Sequence, residues 1–152
     1  MKLSPNFSLA ELTKSQTADR MDIDNTPSDD HVKALELVAQ KILQPVRDHF
    51  GIPFVPSSGY RCVELCEAIG SKASSQHAKG QAADFEVPTI SNYDLAVWIM
   101  ENLEYDQLIL ENYKSGDPNS GWVHCSYVSP EANRKSVLTY QKSTGYRQGL
   151  EK

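Results

Sequence analysis

Ser74-Ser75-Gln76-His77-Ala78-Lys79-Gly80-Gln81-Ala82-Ala83-Asp84-Phe85 decides how this chain is read. A histidine and an aspartate stand seven positions apart in a run of small residues. Small residues let the backbone come close to a ligand or metal. The run enters a strand expected near Ala82–Val87, where alternation puts Asp84 on one face with Ala82 and Glu86. A second histidine, His124, sits in the apolar run Trp122-Val123-His124-Cys125-Ser126-Tyr127 and shares a face with Trp122 and Ser126. Two histidines and one carboxylate make a common catalytic zinc set, with the fourth position open to water. Charged groups on core strands need partners, because burying them alone is costly, and a metal is one such partner. The residues alone leave an ordinary alternative open: a turn-capping His77, an Asp84 paired with Arg61, and a hydrogen-bonded core His124.

Working outward, the chain upstream reads as helical. Ser8 and Glu11 form a capping box, with Phe7 and Leu12 at the positions of a hydrophobic staple. The polar stretch Thr13–Asp30 reads as a surface loop. A long helix is expected over about 29–50, from Val32, Leu35, Val38, Ile42 and Val46, with Gly51 as its stop and Pro45 as a kink or restart. The segment from Ile52 to Arg61 reads as a short strand entering a turn, and Val63–Gly70 as a brief helix. Downstream, Ser91 and Asp94 open a helix reaching Leu103, with Trp98 on its core side. Tyr105–Glu111 is an apolar strand whose Glu111 shares a face with Gln107 and Ile109. A polar loop links it to the His124 strand as a hairpin. Beyond Pro130 the chain reads as a polar, partly disordered tail. The fold class is α+β: N-terminal helices packed on a small, mostly antiparallel sheet, in a single domain spanning 1–152.

Bulk properties narrow the function. With 152 residues and 39% hydrophobic content, the chain can bury a core without disulfides. Three cysteines, Cys62, Cys66 and Cys125, argue against a disulfide framework. A net charge of −5 with no basic run argues against nucleic acid as a partner. No run is apolar and long enough to span a membrane, and the first residues do not read as a secretory signal. The expectation is a monomer made in the cytoplasm. His31 and His49 are expected at the surface, and a C-x3-C zinc site is disfavoured by its spacing.

The chain resembles the M15 peptidases, the group of D-alanyl-D-alanine carboxypeptidases and phage endolysins. The resemblance runs from about Phe7 to Tyr127, through LQPVRDHFG, SSGYR, SSQHAKGQAADF, DQLILE and GWVHCSY. It implies the fold shared by Hedgehog and the DD-peptidases. It also implies one Zn²⁺ per chain on His77, Asp84 and His124, and a peptidoglycan stem peptide as substrate, cut at the cell wall. A phage lysin or virion-associated enzyme fits that pattern. Arg61 matches the arginine that holds a substrate carboxylate or carbonyl, a task that suits a planar guanidinium. Ser75, Gln76 and Trp122 are expected to touch substrate.

One position departs from the family pattern. Many members place the catalytic carboxylate three residues before the last histidine, where this chain has Gly121. The Hedgehog domain instead has a glutamate near a strand end, and Glu111 resembles it. Glu111 is therefore the expected general base, with Asp117 and Asp106 behind it. Gly121 also keeps a second reading open, a non-catalytic zinc protein, either a wall-peptide binder or a structural virion protein; a metal-free structural domain is a third.

Overall fold

The computed structural model describes residues 1–152. A two-stranded ribbon, β1 (Lys2–Ser4) and β2 (Phe7–Ser8), leads into α1 (Leu9–Thr13). The capping box forms: Glu11 donates its N–H to Ser8 Oγ and its carboxylate accepts from the Ser8 N–H. Phe7 and Leu12 are both in the core, so the local signal also sets the entry angle. The stretch expected as a loop contains α2 (Gln16–Arg20), whose first turn is capped by Ser15.

The long helix is three segments in one rod. It runs as α3 (Asp29–Val38), a π-helical stretch at Ala39–Leu43, and α4 (Gln44–Phe50), and Gly51 closes it in the left-handed region. Pro45 cannot donate to the preceding turn, and the wider π turn just before it absorbs the mismatch. Residues 52–60 form no strand. Pro53 and Pro56 remove two donors there, and the segment touches the sheet through one bridge, Ser58 to Asp84. After it come α5 (Val63–Ala68) and a short 3-10 turn, Gln76–Lys79.

The main sheet has the order β3 (Ala82–Phe85), β5 (Trp122–Ser126), β4 (Gln107–Glu111), β6 (Ser136–Gln141) and β7 (Gly145–Gln148). Between β3 and β4 lies α6 (Asn92–Asn102), packed on the inner face. The expected hairpin is present as β4 and β5. The chain is α+β as expected, with a mixed sheet: β4 and β6 pair in parallel and the other contacts are antiparallel. The expectation of a partly disordered tail fails, because residues 136–148 supply two strands. Their polarity reflects a half-exposed position at the sheet edge. The inner face and the helices share one core of 24 buried residues, which leaves the other face free for polar side chains.

Candidate metal centre

Sheet register assembles the site. Asp84 on β3 pairs directly with His124 on β5, and His124 pairs with Ile109 on β4. Side chains directly opposite one another point to the same face. His77 comes from the 3-10 turn, which Ser75 caps by accepting the His77 N–H. Asp84 Oδ1 lies 2.9 Å from His124 Nδ1 and 3.4 Å from His77 Nε2. The three donor atoms all lie within 4.8 Å of one another.

The fit to a metal can be judged from the hydrogen bonding. His77 Nδ1 is 2.7 Å from the Gly59 carbonyl oxygen, which can only accept, so Nδ1 carries the proton. The Nε2 lone pair of a neutral His77 then faces a carboxylate oxygen. Two acceptors at that distance need a cation between them: a proton or a metal ion. Two ligand atoms bonded to one tetrahedral zinc stand about 3.3 Å apart, close to the His77–Asp84 separation, while the shorter His124–Asp84 contact is a hydrogen bond. The Gly59 carbonyl also supplies the second contact that metal-ligating histidines usually have. Burial alone would push the Asp84 carboxyl up, but the hydrogen bond to His124 and the neighbouring imidazoles outweigh it and hold the group well below the usual carboxylate range. The donor set therefore fits a zinc ion. None of the three cysteines joins it: Cys66 donates to the Arg61 carbonyl, and Cys125 is fully buried with its thiol pushed far up by burial.

The small residues of the loop serve packing more than close approach to a ligand. Gly80 has φ +72°, and a side chain there would meet the His31 backbone at 2.6 Å.

His77 and His124 line a cleft of about 700 Å³, and Asp84 is bonded to His124 at its side. Arg61 lines it, its Nη1 donating to Ser58 Oγ at 2.9 Å and standing 4.0 Å from Asp84 Oδ2. Arg61 Nε is buried without a partner. Glu111 lies on the same face, where Trp122 Nε1 donates to its Oε2 at 2.7 Å, leaving Oε1 without a partner. Burial is the main cause that raises the Glu111 carboxyl above its ordinary value, and the Asp84 charge adds to it. The other two acids are placed differently. Asp117 is exposed in the β4–β5 loop, and Asp106 is committed to Arg134 and Gln76.

Ser75, Gln76 and Trp122 are all engaged within the protein. Ser75 caps the turn, Gln76 Nε2 donates to Asp106, and Trp122 orients Glu111. Ser75 and Gln76 still line the cleft. Residues that sequence reasoning missed also line it: Arg134 and Tyr146, from the segment read as a tail. His49 is exposed and stacks on Trp98, which packs half-buried against the core; His31 is half-buried beside Tyr60.

Gly121 has φ +68°, and a Cβ there would lie 2.1 Å from the Glu111 carbonyl oxygen. The backbone at position 121 therefore excludes any side chain, the family's usual carboxylate included.

No curated protein matches the chain. The model of a family described as Peptidase M15 matches residues 5–126, a span that holds Arg61, His77, Asp84, Glu111 and His124. On that match, the chain belongs to the Peptidase M15 family.

Proposed function

We propose that this protein is a zinc metallopeptidase that hydrolyses peptide bonds in the stem peptides of bacterial peptidoglycan. The observation that carries the reading is the convergence of His77 Nε2, Asp84 Oδ1 and His124 Nδ1, with both histidines lining an open cleft, in a chain of a peptidase family. His77, Asp84 and His124 would hold the ion. When bound, zinc supplies a Lewis acid that polarises a carbonyl and makes water more acidic.

The chain's own residues do the rest. Glu111 takes a proton from the attacking water at Oε1, the oxygen that Trp122 leaves free, and returns it to the leaving amine. A carboxyl raised by burial is better matched to proton transfer near neutral pH than a solvated one. Arg61 offers guanidinium donors to a substrate carbonyl or carboxylate, and the Ser58 hydroxyl and the Asp84 charge hold it in place. The cleft also carries Lys79, which suits a substrate carboxylate, whereas Arg134 is paired with Asp106.

Digestion of purified sacculi, with mass spectrometry of the fragments, tests the reading and identifies the bond. Release of peptides that stops on chelation is expected. A zinc-loaded protein inert on every wall peptide would favour the second reading, a non-catalytic wall-peptide binder, which Gly121 keeps in play.

A further inference from the structure

The cleft has two ends. Arg61 stands at the β3 end, beside Asp84. At the other end is Tyr146 on β7, the last strand of the sheet. Register places Trp122, Glu111, Tyr140 and Tyr146 in one row across β5, β4, β6 and β7. Neighbouring strands stand about 4.8 Å apart, so the backbone of Tyr146 lies about 10 Å from that of Glu111 and about 14 Å from β5. An extended peptide covers that span in about three to four residues.

We propose that Tyr146 contacts the substrate several residues away from the bond that is cut, making the C-terminal hairpin a wall of the peptide site; this rests on the peptidase reading. Tyr146 is 60% exposed yet lines the same cleft as His77, His124 and Glu111. Its ring lies 4.7 Å from that of Tyr140, centroid to centroid, so the exposed aromatic is backed by a second one. A tyrosine held in this way offers a broad amphipathic surface with little rotamer freedom left to lose. The hairpin is tied down at its start: Arg134 donates to Asp106 from its backbone N–H, Nε and Nη2, and the Ser136 N–H donates to the Asp106 carbonyl. Asp106 in turn accepts from Gln76, next to His77. The wall and the ligand loop are therefore parts of one hydrogen-bonded frame. Tyr146 lies outside the span that the family model matches.

The experiment compares Tyr146→Ala and Tyr146→Phe with the zinc-loaded wild type on two substrates: a full pentapeptide stem and the shortest fragment that the wild type still cuts. Tyr146→Ala should lose about fivefold or more in kcat/KM on the stem, the scale of one aromatic contact, and stay within about twofold on the fragment. Tyr146→Phe should keep most of the activity on both. Zinc content and melting temperature should be unchanged. Equal losses on both substrates, or none on the stem, would overturn the contact. Calorimetric binding of the stem separates the two claims. If the wild type binds without cutting and Tyr146→Ala binds more weakly, the contact stands and the peptidase reading fails. Unchanged affinity in Tyr146→Ala, or no binding by the wild type, would overturn the contact itself.

Discussion

The two ends of one sheet face are built in opposite ways. At the β3–β5 end, His77 and Asp84 are 3% and 9% exposed, the Gly59 carbonyl holds the His77 ring through Nδ1, and Asp84 is hydrogen-bonded to His124. At the β6–β7 end, the face carries two tyrosines, one of them mostly in solvent, on a largely half-buried β6 and a mostly exposed β7. Burial is what makes the first end chemical. It removes water from Asp84, sharpens its pull on the histidines, and lifts Glu111. Exposure is what leaves the second end free to meet a large ligand. The contrast teaches that a buried donor cluster and an exposed aromatic pair can share a sheet face when register, rather than burial, connects them.

The largest expected effects lie at the buried end. His77→Ala, Asp84→Ala and His124→Ala should each lower zinc occupancy sharply and abolish hydrolysis, because three protein ligands leave no spare donor. Metal analysis of the purified variants checks this, and full zinc in all three would remove the ligand assignment. Apo protein should also melt lower than the metal-loaded form.

Next comes Glu111→Gln, which keeps the acceptor for Trp122 but cannot take a proton. The loss should fall in the range of about 10²–10⁴-fold typical of general base catalysis, with zinc retained. Asp117→Asn is the control and should be near wild type, since Asp117 is exposed in the loop. A reversed pattern would move the base to that loop. Arg61→Lys should cost more than about tenfold, or 1.4 kcal/mol of barrier, by keeping charge and losing the fork. Full activity would make Arg61 a structural cation.

The same contrast explains which parts were legible in the sequence. The His77–Asp84–His124 cluster was only partly readable from the residues: a histidine in an apolar strand and an aspartate in a small-residue run left an ordinary alternative open, and the family resemblance joined them. The hairpin end was hidden. Ser136–Gln141 has only Val137, Leu138 and Tyr140 as large apolar or aromatic residues, and its pairing with β4 joins positions 29 residues apart. A parallel contact at that distance leaves no turn signature between the strands. The helix α2 was missed for a related reason. Five residues with one buried alanine give no periodicity, and only the Ser15 cap marks it. The link from Arg134 through Asp106 to Gln76 spans three separate segments, so spacing could not reveal it.

That link joins the two ends and yields the smallest predicted effect. Asp106 is 2% exposed, and Arg134 is the main cause that brings its carboxyl down to about 2. The backbone N–H of Arg134 and the Gln76 amide share in the lowering, so Arg134→Gln removes only part of it. The expected loss of stability at pH 6 is about 1 kcal/mol. The sign follows from the direction of the shift. The folded carboxyl is lower than the unfolded one, so the stabilisation is fully present above about pH 4. It is lost as pH falls through about 2, where the folded group takes up its proton. Urea unfolding of wild type and variant, both in chelator so that metal release in acid does not enter, should show a gap at pH 6 that mostly closes by pH 2. A gap that persists in acid would mean that the arginine stem acts by packing rather than by charge. No gap at either pH would mean that Gln76 and the backbone hold Asp106 unaided. The hairpin would then be anchored through its strand pairing with β4 alone.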